Sequence, residues 1–396
     1  MSARSNHLRP NVAFGCPSSR RTGWALFVLG LVNQWIGARA WGPVGHERIA
    51  RVAEGLLKGK HKDQIRTMMH GDIIALSSWE KEMTVKYPVT DALHWHRQEP
   101  EWTCSGFQAP GSELKQLGDK AGNLRCDGRA AQQGSLFCAL AYFFEHFAHD
   151  ALLREFPQPK EPIDTPKTLS VLSGLAKDEL STAHYLRWLA SLIGDLHQPL
   201  HWLKEHSFGG DIKLTYQGQE YSLLSFWEEY IPEHLPSRQM DKASEKQYQE
   251  RAPAWWDKMP PELFREWAKE VADVVCSQVY SPMEVNHADG TRGIASPFEL
   301  PEELYQRWLK LAQDFTELGG QRLAFVLNEI IEHRRHKVAF KEGRGRLHRK
   351  KRWTSNLMTN LVIGGIAVPL LLFALRWHER LGGLSLVSMV RGHLKT

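Results

Sequence analysis

Apolar positions recur at helical spacing over most of the chain between residues 41 and 330. After Trp41, the residues Ile49, Val52, Ala53, Leu56 and Leu57 lie on one face of a predicted first helix that has Gly45 and His46 at its start. Leu136 to Phe147 is an almost wholly apolar run and predicts a buried helix. A long periodic segment begins near Leu180 and ends in IGDLHQPLH (193–201), where Pro199 stops or kinks the helix. Two more helices are predicted over Glu262–Tyr280 and Glu302–Asn328, joined by a Gly-rich polar loop. The period changes to two over Asp211–Tyr221. There Ile212, Leu214 and Tyr216 alternate with Lys213, Thr215 and Gln217 before a turn at Gly218, which predicts a small β-hairpin. Phe156–Pro166 reads as a Pro-rich loop and Ile231–Pro261 as loop-rich, and no internal repeat is visible. The expected class is mainly α.

Both ends carry a different pattern. Arg20 and Arg21 precede the apolar run Trp24–Val32, and Ala38-Arg39-Ala40 is a small-residue cleavage site directly before Trp41. Residues 1–40 are therefore expected to be a signal peptide, with Trp41 as the first mature residue. Leu357–Leu375 is an apolar stretch broken only by Thr359 and Asn360. As a helix it is about 28 Å long against a hydrocarbon core of about 30 Å. The expected organisation is an ectodomain over 41–340, a basic juxtamembrane segment over 341–356, a transmembrane helix over 357–375 and a short tail over 376–396. That is a type I protein of the secretory pathway with a lumenal or extracellular ectodomain. The basic run Arg344, Arg346, Arg349, Lys350, Lys351 and Arg352 lies on the ectodomain side of the span, against the usual charge asymmetry, so the signal peptide sets the orientation.

Composition changes this picture little. Of 396 residues, 42% are apolar and 24% charged, which is ordinary for a globular protein, and the net charge of +5 comes largely from that one basic run. Fifteen Trp residues are many, and most are expected in the core. Export implies an oxidising compartment, in which Cys104, Cys126, Cys138 and Cys276 can pair in three ways. The expected pairing is Cys126 with Cys138 and Cys104 with Cys276.

The stretch Ile193–His201 carries the candidate chemistry. Asp195, His197 and His201 fall within seven residues at the end of a helix, and a buried carboxylate beside imidazoles suits zinc. The competing reading is a helix whose His residues are satisfied by hydrogen bonds.

Several motifs then appear in order: Trp41-Gly42, Gly45-His46, Ser78-Trp79, Leu93-His94-Trp95, GDLHQPLH, Gly209-Gly210, Phe226-Trp227-Glu228, Gly320-Gln321-Arg322-Leu323-Ala324 and Leu327-Asn328. This set resembles the zinc-dependent class I single-strand nucleases, whose helical fold is shared with zinc-dependent phospholipase C. The resemblance implies a phospholipase C/single-strand nuclease-like fold and a three-zinc site. It implies that Trp41, His46 and Asp195 hold one zinc, that His94 serves another and His201 a third, and that Asp195 and His94 stand at the catalytic centre. It also implies that Trp95 stacks a base.

The chain departs from the family pattern at four ligand positions. Lys81 stands where the family has a zinc-bound Asp, so Glu80 would substitute; Ser191 and Leu224 replace His residues, and Glu228 replaces an Asp. Arg97 replaces an Asp after the stacking aromatic and favours phosphate contact. His96 or His197 could fill a vacant position, whereas His146, His149 and His184 read as structural or exposed. The expected function is a membrane-anchored endonuclease and 3′-nucleotidase-like phosphodiesterase acting on single-stranded RNA, DNA or nucleotides, with fewer than three zincs and weakened activity. The alternatives are an inactive relative with a binding or structural role and a phospholipase C-like phosphodiesterase. Sequence does not indicate an oligomeric state.

Overall fold

The computed structural model describes residues 41–97, 104, 124, 126, 132–151, 168–236, 242–256, 258, 260–288 and 292–333. The expected signal peptide, basic segment, membrane span and tail lie outside these residues. Among the described residues no helix is long and apolar enough to cross a membrane. The chain divides into residues 1–329 and 330–396. The first unit holds every described strand, and every described helix except the end of the last.

The fold is mainly helical, as the periodicity predicts. In chain order the helices are α1 (Pro43–Leu56), α2 (His61–Met69), α3 (Trp79–Lys86), α4 (Leu136–Asp150) and α5 (Thr182–Leu196). They are followed by α6 (residues 223–234), α7 (Lys242–Arg251), α8 (Pro260–Val274) and α9 (residues 302–333). Both α6 and the continuation of α8 contain π-helical turns, at Phe226–Tyr230 and Val275–Tyr280.

The centre of the unit is α5. Ser181 caps its first turn, and Leu186, Trp188, Leu189, Leu192, Ile193 and Leu196 are all fully buried. A helix apolar on most of its circumference must be enclosed, and α4 and α8 both pack on it. Each enclosed Leu contributes about 1.5–3 kcal/mol relative to exposure. The helix stops because Gln198, which precedes Pro199, is extended, and a 3-10 turn over Pro199–Trp202 follows. The carbonyls left open at its end are filled by Trp202 Nε1, which donates to Leu196 O at 2.9 Å, and by His197 Nδ1, which donates to Ile193 O at 2.7 Å. Trp41, Trp188, Trp202, Trp227, Trp267 and Trp308 are all fully or almost fully buried, so these rings are used in the core.

The hairpin forms as read, with β1 (Lys213–Tyr216) antiparallel to β2 (Gln219–Ser222) around Gln217-Gly218, both at positive φ. Three further short strands occupy the loop before α9. They are β3 (Glu284–Asn286), which pairs with β4 (Arg292–Ile294), and β5 (Phe298–Glu299), which joins β1 in parallel. The loop-rich reading of Ile231–Pro261 is corrected by the end of α6 and by α7. α7 buries only Ser244 and Tyr248, so it has no apolar stripe by which to be recognised. The disulfides are Cys104–Cys276 and Cys126–Cys138.

Candidate metal centre

Asp195 lies in the last turn of α5 and has no exposed surface. His46, in the first turn of α1, approaches from one side, with Nε2 3.2 Å from Asp195 Oδ1. His94, at the end of a 3-10 segment over Pro88–His94, approaches from the other, with Nδ1 2.6 Å from Asp195 Oδ2. Glu80, in the first turn of α3, is 3% exposed and interacts electrostatically with His46, His94 and Asp195. Four elements thus bring two carboxylates and two imidazoles to one buried point.

The close approach depends on Gly194. A β-carbon there would stand 2.8 Å from the His46 ring, so a larger residue would push that imidazole away from Asp195. Trp41 is fully buried beside Trp227, with ring centroids 6.4 Å apart, and Gly42 N donates to Glu228 O at 2.7 Å. The segment Trp41-Gly42 is thereby fixed on the π-helical turn that carries Glu228. A π-turn of this kind is common at functional sites.

A second pair stands nearby. His201 Nδ1 donates to His94 O at 2.6 Å, which leaves Nε2 as the unprotonated nitrogen, 3.6 Å from Glu228 Oε1. His96 N donates to His201 O at 2.8 Å, so the backbone also ties the two segments together. Trp95 is 4% exposed, with its ring 4.1 Å from His201 and 4.5 Å from Phe208, which leaves little open face for a base. Trp95 Nε1 donates to Asp91, and the half-exposed Arg97 stands 3.7 Å from the same carboxylate.

Electrostatics follows from enclosure. Burial would raise the Asp195 pKa, but His94 and His46 more than reverse this and hold the group ionised. Burial would lower the His46 and His94 values, yet Glu80 and Asp195 raise both. Glu80 is pushed up by burial, with the two imidazoles opposing. His201 and His96 lie mainly under the effect of burial and fall to about 3, so both rings are neutral at ordinary pH. A neutral imidazole with its Nδ1–H held by a carbonyl is the form that ligates metal.

The donors fit a cation in pairs. Two ligands of one zinc, each about 2.0–2.2 Å from it, stand about 3.3 Å apart in tetrahedral geometry. His46 Nε2 and Asp195 Oδ1 meet that spacing, and neither they nor Glu80 Oε2, His94 Nε2 or His201 Nε2 has a hydrogen-bond partner. Buried polar atoms in this condition are uncommon. The His94 Nδ1 contact with Asp195 is too short for two ligands of a shared ion and is a hydrogen bond. Among the described residues no set of three or more His, Cys, Asp or Glu side chains stands ready to hold a metal. Ser191 is buried with an unpartnered hydroxyl, and Leu224 is buried and offers no donor.

His197 lies apart from this cluster. Its Nδ1 is held by Ile193 O and its Nε2 by Arg322 Nη1 at 3.0 Å, so it has no nitrogen left to fill a vacancy. In the sequence Arg322 stands inside a motif with no role evident from its spacing; its signal is a charge within an otherwise apolar helical stretch.

Residues 165–332 match the S1/P1 Nuclease family model. The chain is 21% identical over 335 residues to Endonuclease 3 of Arabidopsis thaliana, covering 79% of this chain and 96% of that one. It is 19% identical over 324 residues to Endonuclease 2 of the same plant, covering 77% and 97%. Nuclease S1 of Aspergillus oryzae is 27% identical over 161 residues, 37% of this chain and 53% of that protein. With motifs in order from Trp41 to Asn328 and residues 165–332 matching the S1/P1 Nuclease family model, the chain is similar to the S1/P1 nucleases.

Proposed function

We propose that this chain is a nuclease-type phosphodiesterase that cleaves single-stranded RNA or DNA, using a metal centre built around Asp195 with fewer zincs than the family's three. The observation that carries the reading is the buried meeting of His46, Glu80, His94 and Asp195, in which acceptor atoms lack partners. Zinc, when bound, supplies a water of lowered pKa and neutralises charge on the phosphoryl oxygens. Asp195 holds the His94 ring in place, and Glu80 adds the second buried carboxylate. Arg97, half exposed beside the site, is suited to a phosphate oxygen.

Secretion supports the same reading, since two disulfides suit an oxidising compartment. Anchoring through Leu357–Leu375 belongs to this proposal as well.

One observation favours a second reading, a non-catalytic relative that keeps the fold as a binding or structural ectodomain. Ser191 and Leu224 leave the donor set incomplete, and no full metal group stands among the described residues. Incubation of the purified full chain with single-stranded RNA, and separately with phospholipid, decides between the readings. Chelator-sensitive RNA cleavage supports the nuclease; cleavage of phospholipid alone, or of neither, overturns it.

A further inference from the structure

Outside the metal centre, Arg322 on α9 is a charged residue enclosed in the core. Its side chain is 3% exposed, its guanidinium carbon lies 5.0 Å from the Trp267 ring and 5.9 Å from the Trp255 ring, and it pairs with Glu270 on α8. Glu270 is itself 58% exposed, so this ion pair sits half in solvent. Arg322 Nε has no hydrogen-bond partner. An apolar residue of similar volume in such a place is often as stable or more so, which makes core stability a poor account of this charge.

What the guanidinium touches gives a better account. Nη1 donates to His197 Nε2 at 3.0 Å, which requires His197 to carry its proton on Nδ1, and that proton is given to Ile193 O at 2.7 Å. The acceptor carbonyl belongs to the final turn of α5, two residues before Asp195. His197 is also enclosed by Gly319, where a β-carbon would lie 3.3 Å from the ring. A continuous chain of contacts thus runs from Arg322 through one defined tautomer of His197 into the turn that aims the Asp195 carboxylate at His46 and His94.

We propose that Arg322 is a positioning residue for the metal centre, acting through His197 to fix the last turn of α5 and so the direction of the Asp195 carboxylate. Its own contacts are with His197, Glu270, Trp255 and Trp267 and not with His46, His94 or Asp195. The inference rests on the metal-centre reading and names the device that keeps that centre assembled. Loss of an outer partner of a metal ligand typically weakens metal affinity by about 10–100-fold.

The test uses the full chain with Arg322→Met, Arg322→Lys and, as a control, Glu270→Gln. Zinc affinity is measured by competition with a chromogenic chelator, beside the thermal midpoint. The expected result is that Arg322→Met keeps a cooperative melt at or above the wild-type midpoint while zinc affinity falls measurably, by no more than the roughly 10–100-fold that loss of a ligand's direct partner costs. Arg322→Lys, which has no planar fork to lie between two indoles, falls to a lesser extent, and Glu270→Gln stays near wild type. Unchanged zinc affinity in folded Arg322→Met overturns the proposal. If that variant does not fold, the Lys variant decides: a wild-type affinity overturns the proposal, and a weakened one with the melt retained supports it. If the wild-type chain takes up no zinc, the functional reading fails separately. Positioning is then read from imidazole proton–nitrogen NMR signals of His46 and His94, which Arg322→Met must shift if the proposal holds and leave in place if it does not.

Discussion

Asp195 is the residue on which the site depends, because its two carboxylate oxygens contact His46 and His94. Replacing it with Asn keeps the volume and removes the charge both imidazoles face. Zinc affinity and RNA cleavage are expected to fall at least about 100-fold, read by metal titration and initial rates, since even outer partners cost about 10–100-fold. Gly194→Ala tests the same point from the side: the added carbon meets the His46 ring at 2.8 Å. Helix propensity favours Ala by up to about 1 kcal/mol, so the expected signature is a nearly unchanged thermal midpoint with about tenfold weaker zinc binding. An unaltered affinity would mean that His46 does not contribute. His96 gives a pH prediction. Burial holds its folded pKa at about 3, whereas the unfolded chain takes up the proton near pH 6.5. Its contribution to stability is therefore complete above about pH 6.5 and erodes as pH falls toward 3, by up to about 1.4 kcal/mol per unit. His96→Phe, which keeps a ring beside Trp202, should flatten the drop in urea midpoint between about pH 7 and 4.5. At this scale the sequence offered Asp195 and His201 by type and spacing, and His46, His94, Glu80 and Glu228 only through the resemblance to the single-strand nucleases. The Gly194 constraint and the tautomer of His197 depend on contacts between distant segments, which no local pattern encodes.

At the scale of elements, the site is held by where α1, α5 and α9 come together. Gly320 on α9 lies against α1 so closely that a β-carbon would stand 2.4 Å from Val52 Cβ and 2.8 Å from Ile49 O. Gly320→Ala must part these two helices, and overpacking of this kind costs about 1–3 kcal/mol. The expected result is a lower urea midpoint and looser zinc binding together, because His46 moves with α1. A variant as stable as wild type would contradict the close approach. α5 was legible because its apolar positions are dense, and its end because Gln198-Pro199 follows. The β1–β2 hairpin was legible because its period is two and Gly218 supplies the turn. α7 was not, since KASEKQYQER buries only two side chains, and β5 was not, since two residues joining β1 carry no period at all.

For the whole molecule, motif order carried the resemblance to the S1/P1 nucleases at an identity of only about one residue in five, and the family model matches residues 165–332. The order of motifs carried more information than any single motif, because Ser191, Leu224, Glu228 and Lys81 stand at positions where the resemblance implies other ligands. Those departures set the central question of how much metal the fold still holds. The direct measurement is zinc per molecule by elemental analysis of the purified full chain, taken beside its cleavage of single-stranded RNA with and without chelator. The expected result is at least one zinc but fewer than three, with cleavage that chelator abolishes; a chain without zinc that cleaves nothing would contradict the proposed metal centre.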